Sequence, residues 1–266
     1  MLEIKSISKI FNPGTVNEKI ALNGLSLTLN TGDFVTVIGG NGAGKSTLLN
    51  TIAGTYPVDE GKIYIDNIDV TNLPEYKRAK YIGRVFQDPM VGTAADMWIE
   101  ENMALAMRRG KSRGLSWAIK NSDRKYFKEL LSQLDLGLEN RLSTKVGLLS
   151  GGQRQAITLL MASMNSPKLL LLDEHTAALD PKTASKVLDI TDKIVESNHL
   201  TTLMITHNMS DAIRLGNRLI MMSDGKIILD ISGDEKKNLT VEHLLEMFEK
   251  VSGSKLENDR MLLNKE

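Results

Sequence analysis

Over the first third of the chain, hydrophobic and polar positions alternate with a period of two, the signature of half-buried strands. LEIKSISKIF (Leu2–Phe11) alternates loosely and LSLTL (Leu25–Leu29) cleanly, and KIYIDNIDV (Lys62–Val70) follows the turn residues Asp59-Glu60-Gly61. DFVTVI (Asp33–Ile38) is a short β-branched run that leads into glycines and then into KSTLLNTIAG. There Leu48, Leu49, Ile52 and Ala53 fall at helical spacing, and Gly54 stands where a helix would stop. From about Asp88 to Asn165 the period lengthens, and MWIEENMALAMRR and RKYFKELLSQLDLG predict helices. The second carries Phe127, Leu130, Leu131 and Leu134 at i, i+3, i+4 and i+7. KLLLLDE (Lys168–Glu174) then reads as a strand buried on both faces.

Asp180 as N-cap and Pro181 at the first helical position open a helix running to Ser197, and LTTLMITH (Leu200–His207) is the next strand. Strand, helix and strand in this order predict a parallel pair with a right-handed crossover. Asp224-Gly225 between two apolar runs predicts a hairpin, and one amphipathic helix, Val241–Val251, precedes a polar end. The pattern predicts an α/β core with a mostly parallel sheet, an N-terminal antiparallel β layer and a helical subdomain inserted at about 88–165. These together span 1–240, and 241–266 form a helical tail.

Composition narrows the classes. The 266 residues are 41% hydrophobic and 25% charged, enough for a sizeable core. Formal net charge is zero, so no global basic field recruits nucleic acid, and none is expected as a partner; the basic run Arg108–Gly114 is the one candidate contact. No cysteine is present, which excludes disulfides and thiolate metal sites. No run approaches the ~20 apolar residues needed to cross a bilayer, and the N-terminus lacks the apolar core of a signal peptide. Work at a membrane would pass through a partner.

Chemistry concentrates in three places. Gly39-x-x-x-x-Gly44-Lys45-Ser46, between a strand and a helix, has the spacing of a phosphate-binding loop; Gly39, Gly40, Asn41, Gly42, Ala43, Gly44, Lys45, Ser46 and Thr47 are its candidate residues. Asp173 and Glu174 end the apolar run, where side chains of a parallel strand reach the ligand crevice. Asp173 suits Mg²⁺ beside Ser46, and Glu174 suits a general base. Ser150 can cap a helix with an apolar face of Ile157, Leu160, Met161 and Met164. Gly151 and Gly152 leave its first N–H groups bare, as an anion site needs. Against alanine, glycine inside a helix costs about 1 kcal/mol, so a simple N-cap does not account for both.

With these motifs in order, the sequence resembles the ATP-binding cassette (ABC) ATPases over about Leu2 to Leu239. Leu149-Ser150-Gly151-Gly152-Gln153 is similar to their signature motif. Gln87 in VFQDP, AALD (Ala177–Asp180) and His207 in ITH fall where the family places its other motifs. The resemblance implies a P-loop nucleotide-binding fold that binds ATP and Mg²⁺ and acts as a head-to-tail homodimer. Each ATP would lie between one copy's phosphate loop and the other's Ser150, Gly151, Gly152 and Gln153. It implies catalytic roles for Glu174, His207 and Gln87, and magnesium contacts from Ser46, Gln87 and Asp173. Phe11 falls where an aromatic stacks on adenine, with burial in the core as the competing reading. The motifs depart from the family's usual residues at His175 (proline) and Ala177 (serine).

The closest look is to bacterial ATPases paired with a permease of the branched-chain amino acid type and a substrate-binding lipoprotein. That implies an importer subunit at the cytoplasmic face of the cell membrane, with an aromatic amino acid such as tryptophan or tyrosine as one substrate class. An exporter with separate permease subunits, or a cytosolic ATPase acting on DNA or ribosomes, stands as the alternative. Met90 and Val91 either line a groove for the permease or pack under the helical subdomain.

Overall fold

The computed structural model describes residues 1–111 and 119–252. In chain order its elements are β1 (Leu2–Phe11), β2 (Lys19–Leu29), β3 (Phe34–Ile38), α1 (Lys45–Ala53), β4 (Glu60–Ile65), β5 (Ile68–Asp69), α2 (Glu75–Arg78) and β6 (Ile82–Val85). These are followed by α3 (Ile99–Met107), α4 (Asn121–Ser132), α5 (Gly151–Ser163), β7 (Leu169–Asp173), α6 (Pro181–Ser197) and β8 (Thr202–Ile205). Last come α7 (Met209–Arg214), β9 (Arg218–Ser223), β10 (Lys226–Ser232), α8 (Gly233–Lys237) and α9 (Val241–Ser252).

Two sheets form. One is antiparallel, in the order β2-β1-β4-β5; the other has the order β10-β9-β3-β8-β7-β6. In the second sheet β3 pairs in parallel with β8 and β9, and β7 with β6 and β8, while β10 is antiparallel to β9. The helix α1 lies between the two sheets, where Leu48, Leu49 and Ile52 share a core with Leu2, Ile4 and Leu22 on one side and Val35, Leu171 and Leu203 on the other. Strands β3, β7 and β8 are buried at nearly every position, which is why they read as continuous apolar runs.

The helical segment does not keep a core of its own. Phe127, Leu131 and Leu134 join one cluster with Ile99 and Met103 of α3, Ile157 and Leu160 of α5, and Leu188 of α6. Two expectations are corrected here. The segment Lys62–Val70 is not one strand: Asp66 (φ 48°) and Asn67 (φ 62°) turn it back as the β4–β5 hairpin, a turn that needs left-handed residues. The apolar face expected of α5 is part of a helix buried all round, since Gln155, Ala156, Thr158 and Leu159 are buried as well, while Met164 lies just beyond its end and is half-buried.

The far end of α1 is held by one buried side chain. Arg78 is 2% exposed and donates from Nη1 to the carbonyls of Thr51 and Ile52 (2.8 Å each). Its Nε donates to Leu73 O at 2.7 Å and its Nη2 to Thr71 O at 2.9 Å. The guanidinium thereby satisfies carbonyls at the C-terminus of α1, where a cation also suits the helix dipole. Arg78→Met should strand these carbonyls and lower stability by about 3 kcal/mol or more, read from the urea midpoint. A loss below about 1 kcal/mol would show that the clamp is dispensable.

Candidate nucleotide site

The C-terminal ends of β3, β7 and β8 deliver the phosphate loop, Asp173-Glu174 and His207 to one edge of the parallel sheet, the ligand side of such folds. The loop's shape is set by contacts beneath it. A Cβ on Gly39 (φ 149°) would stand 2.2 Å from the Met222 carbonyl oxygen, and one on Gly44 (φ 98°) 2.4 Å from that of Ala21. Only glycine permits both the close approach and the backbone angle. The β9–β10 turn adds support, with Gly225 N–H donating to Ala43 O (3.1 Å) and Asn23 N–H to Gly225 O (3.1 Å). Gly44 caps α1 without a side-chain bond, so no cap covers the first amides of the helix. Lys45 is buried, and its Nζ donates to the carbonyls of Gly39 (2.7 Å) and Gly40 (3.0 Å).

Above the loop is a cavity of about 240 Å³ lined by Asn41 to Thr47 together with Phe11, Lys19, Ala21, Glu174 and His207. Phe11 is half-buried, with its ring edge-on to Tyr56 at 5.4 Å, so it belongs to the cavity wall and not to the core. Glu174 takes a left-handed backbone (φ 45°), its N–H donates to Ile205 O (3.0 Å), and its Oε1 meets His207 Nε2 at 2.5 Å. Asp173 is half-buried beside them. Burial pushes its carboxyl up, and Arg84, with Nη2 3.9 Å away, draws it back. Arg84 is itself held by Asn50 Oδ1 (2.7 Å) and lies over the Phe86 ring at 4.5 Å.

Gln87 is exposed just beyond β6 and is not part of the cavity lining. Ser150, Gly151, Gly152 and Gln153 also stand apart from that cavity. Ser150 and Gln153 form a reciprocal capping box, with Gln153 N–H to Ser150 Oγ at 3.3 Å and Ser150 N–H to Gln153 Oε1 at 3.2 Å. Gly152 has a packing reason beyond bare amides. Its Cβ would lie 2.1 Å from Thr183 Cγ2, so glycine lets α5 meet α6.

Sequence reasoning missed the two residues that follow the signature. Arg154 donates to Met90 Sδ (2.6 Å) and to Gly147 O (3.0 Å), and Gln155 Nε2 to Phe86 O (3.3 Å), so α5 grips both flanks of Gln87. No periodicity or spacing marks them, because Met90 and Phe86, which tie them to the Gln87 segment, lie more than sixty residues away.

The departure at His175 also finds its structural place. The ring is 2% exposed, and Nε2 lies 3.0 Å from Thr191 Oγ1, whose own proton goes to Val187 O (2.8 Å). Nε2 is therefore the protonated nitrogen of a neutral imidazole. Burial pushes its pKa down to about 4.

The donor chemistry fits a Mg-nucleotide. The glycine-lined cradle offers amides and one ammonium, and Asp173 and Ser46 offer hard oxygens of the kind Mg²⁺ takes alongside phosphate and water. Fold and site together define a P-loop nucleotide-binding protein. Residues 22–177, more than half of the chain, match the ABC transporter family. The chain is 48% identical over 254 residues, 94% of its length and 99% of the relative's, to a tyrosine transport ATP-binding protein of Clostridioides difficile. It is 34% identical to a spermidine/putrescine import ATP-binding protein of Haemophilus influenzae, covering 88% of this chain and 59% of that longer relative. Among solved structures it is similar to an ATP-binding cassette in a dimeric post-hydrolysis state bound to ADP and phosphate. That match has a TM-score of 0.74 at 32% identity and covers 87% of this chain and 98% of the other. The chain belongs to the ABC transporter family and is an ATPase, an ATP-hydrolysing cassette with the family's α/β fold.

Because native His175 resists protonation, the unfolded chain binds one more proton between pH 6.5 and about 4. Stability is therefore full above pH 6.5 and declines as pH falls, by about 3 kcal/mol across that window. Chemical denaturation at successive pH values should show a shallower decline in His175→Leu; equal slopes in the two proteins would assign the acid sensitivity elsewhere.

Proposed function

We propose that this cassette is the energising subunit of an amino-acid importer, with an aromatic solute such as tyrosine, working as a head-to-tail pair beneath a separate membrane permease fed by a substrate-binding lipoprotein. The observation that carries the solute class is the 48% identity, over nearly the whole of both chains, to a tyrosine transport ATP-binding protein, and similarity to a spermidine/putrescine import ATP-binding protein supports the inward direction. Among the described residues no helix is long and apolar enough to cross a membrane, so a cytoplasmic position on the permease suits the reading. The dimer draws support from the neighbour's dimeric state and from Ser150, Gly151, Gly152 and Gln153 lying away from the chain's own cavity. A second copy would bring them to it.

In this reading Phe11 stacks on adenine, and the loop amides from Asn41 to Thr47 hold the phosphates. Lys45 exchanges the Gly39 and Gly40 carbonyls for the outer phosphate oxygens. Glu174 accepts the proton of the attacking water, and His207, bonded to it through Nε2, fixes its orientation and faces the terminal phosphate. Ser46, Asp173 and, on closure, Gln87 would hold Mg²⁺, which when bound neutralises charge on the phosphate oxygens. Uptake of labelled tyrosine by vesicles carrying the cassette, permease and lipoprotein tests the whole reading; ATP-dependent accumulation is expected, and hydrolysis without uptake of any aromatic amino acid would overturn the solute class.

Glu174→Gln should keep ATP affinity and slow phosphate release about 100-fold or more, because an amide cannot accept the proton. An ATP-trapped dimer should then appear by size exclusion. Near-normal turnover would assign the base elsewhere.

Val91 is 64% exposed and Met90 43%, which favours the groove over packing under the helices. Val91→Glu should leave basal hydrolysis of the free chain within about twofold, since exposed substitutions perturb stability little, yet abolish coupled uptake. Unchanged uptake would remove this surface from the permease contact.

A further inference from the structure

We propose that Lys19 is a second nucleotide-binding cation, gripping the inner phosphates from the adenine side of the loop. The proposal rests on the ATP reading of the cavity. The β1–β2 register sets Lys19 directly opposite Phe11, so the two side chains enter the cavity wall together. Lys19 Nζ lies 3.3 Å from where a Cβ on Gly42 would stand, which places the ammonium over the middle of the phosphate loop. Gly42 takes φ 81°, and its missing side chain leaves that approach open.

The contrast with neighbouring lysines gives the position its meaning. Lys9, on the adjoining strand, is 9% exposed and ion-paired with Asp59 at 2.8 Å. Lys45 is buried with loop carbonyls on its ammonium. Lys19 is exposed, and among the described residues its ammonium makes no hydrogen bond or ion pair. The carboxylate that shares its cavity, Glu174, is engaged by His207. An ammonium set against loop amides and an uncapped helix N-terminus adds positive charge to positive partial charge. That arrangement is relieved by an anion. Since Phe11 marks the base end and Lys45 the outer phosphates, an ammonium over Gly42 falls on the phosphates between them.

The test is calorimetric titration of the full chain with ADP and with ATP, at low and high salt, for wild type, Lys19→Gln, Lys19→Arg and Lys45→Ala. Lys19→Gln should weaken ADP and ATP by the same factor, roughly two- to fivefold at low salt, the size of an exposed charge pair. It should also flatten the salt dependence, and Lys19→Arg should restore most of the loss. Equal affinity in wild type and Lys19→Gln, with binding lost in Lys45→Ala, would overturn the role of Lys19 and leave the nucleotide site standing. A loss confined to ATP would move Lys19 to the terminal phosphate and overturn its assignment to the inner ones. Undiminished binding in Lys45→Ala would overturn the nucleotide site itself, and Lys19 with it.

Discussion

Everything at the site depends on two places where backbone meets backbone with no room between them. Gly39 lies under the Met222 carbonyl and Gly44 under that of Ala21, at separations that would leave an added Cβ only 2.2 and 2.4 Å from those oxygens. The first contact ties the loop to the parallel sheet through β9, and the second ties it to the antiparallel sheet through β2. A loop that holds an anion must point several N–H groups the same way, an arrangement that loop closure alone does not maintain. Here the constraint comes from below, out of segments some twenty residues before the loop and nearly two hundred after it. The β9–β10 turn completes it by bonding to both Ala43 and Asn23. At the other end of α1, Arg78 binds the last carbonyls to the loop at Thr71 and Leu73. Fixed at both ends and packed between two sheets, the helix has little freedom to retreat from a bound charge.

This division explains what could be read from the chain. Spacing within one stretch was legible: the phosphate loop, the acidic strand end, the βα crossover and the Asp224-Gly225 turn each carry their own periodicity or turn chemistry. The turn at Asp66-Asn67 was not, because it lacks glycine and apolar residues stand close on both sides of it, at Ile63 and Ile65 before and Ile68 and Val70 after. Asp66 is held there by the chain's own amino terminus at 2.7 Å and by Lys168 at 3.1 Å, partners that no local window contains. The all-round burial of α5 was equally hidden, since Gln155 and Thr158 read as polar positions and are buried against the distant Phe86 and Gly92.

Within the site the same rule holds. Lys45, Glu174 and His207 were found by motif, but the Glu174–His207 contact joins residues thirty-three apart, and Arg84 reaches Asp173 on the neighbouring strand, eighty-nine residues on. Gly151 and Gly152 were read as a means of baring amides. The structure gives Gly152 a steric reason as well, against Thr183, so that the start of α5 and the start of α6 are packed as one piece. His175, a departure from the family's usual residue, proves to be a buried neutral ring bonded to the same α6 through Thr191. It adds a second anchor to that piece.

The helix α5 gathers these threads. Its first residues carry the capping box at Ser150, and within the next turn Arg154 and Gln155 take hold of Met90 and Phe86, the two flanks of Gln87. An α-helix is stiff over one turn, because each added residue is fixed by its own backbone hydrogen bond. A displacement of the Gln87 segment therefore cannot be absorbed between Phe86 and Ser150 without breaking a bond or bending the helix. Gly152 against Thr183 extends the same body to the start of α6, beside the strand end that carries Asp173 and Glu174. The segment around Gln87, the turn at Ser150 and the start of α6 are thus joined through α5. The same helix therefore ties the exposed surface at Met90 and Val91 to the start of α6.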